Sequence, residues 1–288
     1  MAISQVNTVY GPMSRDFRVS VLSELTLPNV GVQTGPFGSQ LHQEDYIEIG
    51  TPIITVEHLG ENRIIHQDVP KVSDVDKERL NRYSLKTGDI VFSRVGSVDR
   101  RSIVRDNENG WLFSGRCLRV RVDAELLDPM YLSYFFGLES FKRYIRGIAV
   151  GATMPSINTQ ILSQLPIYYP PLPIQRQIAA ILSAFDDKIE LNRQMNRTLE
   201  AMARALFQSW FVDFDPVRAK MRGEQPEGMD AETAALFPDE LEVVEGREVP
   251  KGWKVKTVGD VFTLYGGSTP STTNPEFWES GEYHWLVA

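Results

Sequence analysis

A chain of 288 residues exceeds the roughly 100–200 residues of a single domain, so two domains, or one domain with a large extra element, are expected. Hydrophobic residues at 42% and charged residues at 24% exclude a disordered or fibrous chain. The net charge of −8, taken as an average, argues against a partner as anionic as nucleic acid.

The average hides a segregation. Between Arg79 and Arg121 ten basic residues (Arg79, Arg82, Lys86, Arg94, Arg100, Arg101, Arg105, Arg116, Arg119, Arg121) stand against four acidic ones, a net of +6. Between Asp213 and Glu248 four basic residues face eleven acidic ones, a net of −7. One part of the chain is therefore suited to phosphates and another is not. The single cysteine, Cys117, excludes an internal disulfide and leaves too few thiols for a zinc site, as in a reducing compartment. The opening "MAISQVNTVYGPMSRD" lacks the basic flank and apolar run of a signal peptide, and no apolar run approaches the ~18 residues of a membrane span. A cytoplasmic protein is expected.

In chain order, residues 15–170 read as a mixed, strand-rich domain. "TPIITVEHL" (51–59), "GDIVFSRVG" (88–96), "RCLRVRVD" (116–123) and "LPIYYPP" (165–171) are short, β-branched or aromatic, and bounded by Gly, Pro or Asp. In the third of these, Leu118, Val120 and Val122 share one face and Arg119 and Arg121 the other, which predicts a half-buried strand. A single helix is predicted over 128–146, with Asp128 as cap, Pro129 in the first turn and Lys142, Arg143 and Arg146 near its end. The fold class is α+β.

After "YYPPLP" (168–173) apolar residues recur at Ile174, Ile178, Ile181, Phe185, Ile189, Met195, Leu199, Met202 and Leu206, with Asn192 on the same stripe. This predicts one long amphipathic helix within 171–212, about 57 Å if it runs from Ile174 to Phe211. Two readings stand: a helix closing over its own domain, or an antiparallel coiled-coil arm in which Asn192 sets register. Residues 213–250 read as an acidic linker, broken by Pro216, Gly223, Pro226 and Gly228, with one short helix near Ala231–Leu236. At 251–288 folded composition resumes, and "WKVKTVGDV" (253–261) echoes "FRVSVLSEL" (17–25). "GEYHWLV" (281–287) likewise echoes "GTPIITV" (50–56). An offset of 236 residues repeats a whole domain with its helix, so 251–288 is expected to be an incomplete second domain, poorly ordered unless another chain covers it.

Three segments resemble the specificity (S) subunits of type I restriction-modification systems. They are "TGPFGSQLHQEDYIEIGTPII" (34–54), the long stretch 151–217 containing "YYPPLP", "LSAFDDKI" and "SWFVDFDPV", and "GGSTPSTTNPEFWESGEYHWL" (266–286). The usual Glu-Gln pair after the prolines is here Ile174–Gln175. The resemblance implies a non-catalytic subunit whose target recognition domains each read half of a split double-stranded DNA site. It implies a spacer helix that docks methyltransferase (M) subunits, with restriction (R) subunits joining through M and S-adenosylmethionine held on M. Relative to that pattern the chain is truncated to one repeat unit and a fraction. That leaves open a homodimer of half-length chains, a non-functional truncated product, or an interaction protein that binds M without DNA.

Catalytic and metal centres are not expected. "NPEF" (274–277) is only part of a methyltransferase turn, the acids of 237–251 lack a nuclease spacing, and His42, His58, His66 and His284 lack metal-ligand spacing. The candidate DNA contacts are Arg94, Ser97, Arg100 and Arg101 of "SRVGSVDRR", where Gly96 permits close approach, with Lys142, Arg143 and Arg146 as a second cluster. "GPFGS" (35–39) and "GATMPS" (151–156) are candidate loops beside them.

Overall fold

The computed structural model describes residues 5–36, 40–271 and 273–279. Two compact units divide the chain at Asn192 and Arg193.

In the first unit a hairpin of β1 (Gln5–Thr8) and β2 (Gly11–Ser14) leads into β3 (Arg18–Val21), β4 (Val32–Thr34), β5 (Thr51–Ile54) and β6 (Lys71–Val72). Then come α1 (Asp74–Arg79), β7 (Ile90–Ser93), β8 (Arg101–Ile103), β9 (Leu112–Phe113) and β10 (Cys117–Val120). Helices α2 (Pro129–Gly137), α3 (Glu139–Ile148) and α4 (Thr159–Ser163) precede β11 (Pro166–Tyr169) and the long helix α5 (Leu172–Phe211).

The central sheet has the order β4-β10-β7-β8, with β10 antiparallel to both neighbours. Because side chains alternate across a strand, Ile90, Phe92, Leu118 and Val120 enter one core with Leu132, Phe136 and Phe141 of α2 and α3. Val91 and Cys117 enter a second core with Ile53, Leu85 and Phe113. The expectation of a half-buried β10 is therefore corrected. Both faces of the sheet are covered, and Arg119 is 1% exposed, with Nη2 donating to the Val30 carbonyl at 2.6 Å. Desolvation pulls the Arg119 guanidinium down to about 10, helped by the neighbouring Arg121 and opposed by Asp89. Burial likewise pushes the Cys117 thiol up to about 12.

The single helix expected over 128–146 is two. Asp128 caps α2 by accepting from Tyr131 N at 2.8 Å, and Pro129 opens it. The chain then turns extended at Leu138 (ψ 134°) before α3. Gly137 ends α2, and a β-carbon there would lie 2.3 Å from Nη2 of the buried Arg101.

β11 pairs antiparallel with β3, joining the two ends of the strand-rich region where α5 begins. At 40 residues α5 is about 60 Å long. Among the described residues no helix is long and apolar enough to cross a membrane.

In the second unit the acidic stretch 213–250, expected to be a linker, folds. Helices α6 (Asp215–Met221) and α7 (Ala231–Ala235) precede a hairpin of β12 (Leu241–Val244) and β13 (Arg247–Pro250). Val217, Met229, Ala234 and Phe237 make a small core against Trp210, Phe214, Leu241 and Trp253. The apolar residues are too sparse to show a period, but they converge through turns at Gly223 and Gly228, both at positive φ. Beyond Trp253, α8 (Val258–Val261) and its neighbours Phe262 and Tyr265 are exposed. "GEYHWLV" lies outside the described residues.

Candidate nucleic-acid interface

The β7–β8 connection carries the basic loop. Gly96, at φ 77°, makes the turn, and Arg100 N closes it by donating to the Ser97 carbonyl at 3.0 Å. Three other loops meet it. Gly96 N donates to Pro155 O at 2.8 Å and Ile157 N to Arg94 O at 2.9 Å, which seats "GATMPS" against the basic loop. Arg94 N donates to Arg116 O at 2.9 Å, and its Nη1 donates to Gly115 O at 3.0 Å and to Thr34 Oγ1 at 3.5 Å. Gly35 packs so closely that a β-carbon would lie 2.2 Å from the Ser114 carbonyl. The stretches 34–36, 94–100, 114–116 and 150–156, three of them already prominent in the sequence, thus share one junction at Arg94. Phe37, Gly38 and Ser39 of "GPFGS" lie outside the described residues.

Not every candidate cation faces outward. Ser97, Arg100 and Arg143 are exposed, and Arg100 Nη2 donates to Leu59 O at 2.5 Å. Arg146 pairs with Asp99 at 2.6 Å while half exposed. Lys142 lies between Glu61 at 3.5 Å and Glu139 at 3.3 Å. Arg101 is a correction. It is 2% exposed, donating from Nε to Ser133 O at 3.0 Å and from Nη1 to Glu61 at 2.6 Å, so its charge is spent inside the fold. Burial tends to raise the Glu61 carboxyl, but the hydrogen bonds and charges of Arg101 and Lys142 together hold it below its ordinary value. Arg121 is also committed, pairing at 2.6 Å with the buried Asp89. The net positive charge of 79–121 therefore overstates what phosphates would meet.

Arg116 was passed over as a contact in the sequence. It is exposed beside Gly115 and lines an open cleft of about 720 Å³ with His42, Tyr46, Glu57 and Asp68. The signal available was the same one that marked Arg100, an Arg after a glycine in a turn between strands. Two carboxylates in that lining disfavour phosphate and suit amino-group donors. Among the described residues no group of three or more His, Cys, Asp and Glu is placed to hold a metal.

The stripe on α5 splits. Ile178 packs against the first core, whereas Ile174, Ile181, Phe185, Ile189, Met195, Leu199, Met202 and Leu206 are each between 43% and 64% exposed, and Asn192 is exposed beside them. The face that docks is led by Gln175 and Ala179. Gln175 accepts from Asp128 N at 2.8 Å and donates to Pro170 O at 2.8 Å. An apolar periodicity cannot reveal a docking face built around an amide.

A family model described as Type I restriction modification DNA specificity domain matches residues 33–201. The Type I restriction enzyme HindI specificity subunit of Haemophilus influenzae is 33% identical over 258 residues, 75% of this chain and 56% of that protein. The MjaIX specificity subunit of Methanocaldococcus jannaschii is 35% identical over 138 residues, 48% of this chain and 28% of that protein. A crystal structure of a Type-I restriction-modification system S subunit from M. genitalium aligns over 72% of this chain and 49% of that one, at 17% identity and a TM-score of 0.49. The chain spans about half the length of the curated relatives it matches, or less. With the family model covering more than half of its residues, the chain belongs to the type I restriction-modification DNA specificity family.

Proposed function

We propose that the chain is a DNA-specificity subunit, without chemistry of its own, that reads one half of a bipartite site in double-stranded DNA and docks methyltransferase subunits. The observation that carries this reading is the junction at Arg94. Four loops converge there with Ser97, Arg100 and Arg116 at the surface. Cations at such a rim hold phosphates, and a few read base edges. Methyl transfer belongs to the M subunits, which carry S-adenosylmethionine, and restriction subunits join through them in the cytoplasm. The outward stripe of α5 is the surface for assembly, either with a second copy in antiparallel register, giving a symmetric split site, or with M. The test is co-purification with the cognate M subunit, then selection from a library of duplexes. An enriched half-site is expected, and no enrichment with M bound would sink the reading.

A second reading, in which the chain binds M but not DNA, is favoured by the internal use of Arg101, Arg119 and Arg121. Arg100→Glu with Arg116→Glu separates the two. Loss of DNA binding with M binding intact supports recognition, whereas unchanged DNA binding or none in the wild type supports the second.

A further inference from the structure

The motif "LSAFDDKI" places Asp186 and Asp187 on α5, and the recognition function proposed above gives them no task. In the fold both carboxylates face the loop 59–64. Asp186 Oδ2 accepts from Asn62 Nδ2 at 3.2 Å and from the Tyr134 hydroxyl at 2.8 Å. Asp187 Oδ1 accepts from Arg63 Nη2 at 2.5 Å and from Arg105 Nη1 at 3.4 Å. Asn62 is 3% exposed, stands at φ 58°, and is fixed on its far side by the Ser133 hydroxyl. Asparagine tolerates that left-handed geometry better than most residues. Two buried nitrogens of Arg105, Nε and Nη2, find no partner, so this guanidinium is held beside Asp187 with little else to satisfy it.

The same loop reaches the other way. Arg100 donates to Leu59 O at 2.5 Å, Arg101 pairs with Glu61 at 2.6 Å, and Ser102 Oγ donates to Gly60 O at 3.1 Å and Arg63 O at 2.8 Å. Loop 59–64 is thus tied to α5 on one side and to the basic β7–β8 loop on the other. Apolar packing lets a helix slide or roll at small cost, whereas directed hydrogen bonds to two consecutive carboxylates fix both its rotation and its height.

We propose that Asp186 and Asp187, with Asn62, Arg63 and Tyr134, form a latch that fixes the angle of the first half of α5 to the basic loop. This rests on the recognition reading in one respect: where that reading holds with a second copy in antiparallel register, the latch sets which spacer lengths are accepted between half-sites. These are positioning residues, and they touch no base.

Spin labels at the exposed Ser97 of the basic loop and the exposed Lys188 of α5, in the full chain, report without DNA the distance that this angle sets, since the buried Cys117 does not label. A narrow distance distribution is expected in the wild type, broadening in Asp186→Asn with Asp187→Asn. Asp187→Arg should broaden it too, and Arg63→Asp added to Asp187→Arg should narrow it again by restoring the pair in reverse. An unchanged width in the double Asn variant, or no narrowing in the swap, with circular dichroism reporting an intact fold, overturns the latch. With M in cells, the double Asn variant should methylate the same half-sites at spacings about one base pair longer or shorter as well. Because the label distances need no DNA, broadening supports the latch even where the wild-type complex methylates nothing, an outcome that overturns only the recognition reading.

Discussion

The two faces of α5 invert the usual order of an amphipathic helix. The face against the strand-rich region is led by Gln175, Ala179 and Asp186, and the face left outward carries Ile181, Phe185 and Ile189. A helix that existed only to close its own domain would bury the second set. Polar groups on the docked face give a defined seat, because each hydrogen bond has a direction, while the apolar face keeps its area for a partner.

The largest effect is expected on the outward face. Phe185→Glu with Ile189→Glu should weaken assembly by about 4 kcal/mol, roughly a thousandfold in Kd, as expected for two central apolar anchors. Sedimentation with and without M measures it, and the unfolding free energy should stay within about 0.5 kcal/mol. On the docked side the pattern reverses. Gln175→Leu strands Asp128 N and the carbonyls of Pro170 and Leu126, which should cost about 2–3 kcal/mol in urea unfolding and leave assembly unchanged.

Smaller effects sharpen the picture. Arg100→Glu with Arg116→Glu should lower DNA affinity about tenfold and reduce the slope of log affinity against log salt by about 1, because Arg116 shares its cleft with two carboxylates that disfavour phosphate, read from a salt titration. Arg101→Met, in contrast, should destabilise the fold and leave that slope in place. The pH dependence is the least of them. The Glu61 carboxyl lies below its ordinary value of 4.5, so its contribution is present above that value and is lost as pH falls through the folded one. At 69% exposure the effect is screened by solvent. Acid unfolding should begin at slightly higher pH in Glu61→Gln, which lacks that contribution, than in the wild type.

Much of the fold was legible because it rests on local signals. The Asp128 cap with Pro129, the strand runs at 90–93 and 117–120, and the long period after "YYPPLP" all act within a few residues. What escaped was non-local. The close approach of Arg101 to Gly137 comes from more than thirty residues upstream, and the burial of Arg119 from a second core that closes the other face of the sheet. The charge count failed for the same reason. A sequence gives the sign of each residue but not its partner, so Arg101 and Arg121 count like Arg100 although Glu61 and Asp89 stand against them in the fold. The docking role of Gln175 had no periodic signature at all, since one amide meeting three backbone groups leaves no pattern along the chain.

The central claim is that the loops meeting at Arg94 read DNA on behalf of a methyltransferase. Mapping methylated motifs in cells that carry the cognate M subunit with this chain, or with its Arg100→Glu, Arg116→Glu variant, tests it most directly. A defined motif is expected with the wild type, and its loss with the variant while M still co-purifies. The same motif in both, or methylation indifferent to the presence of the chain, would contradict it.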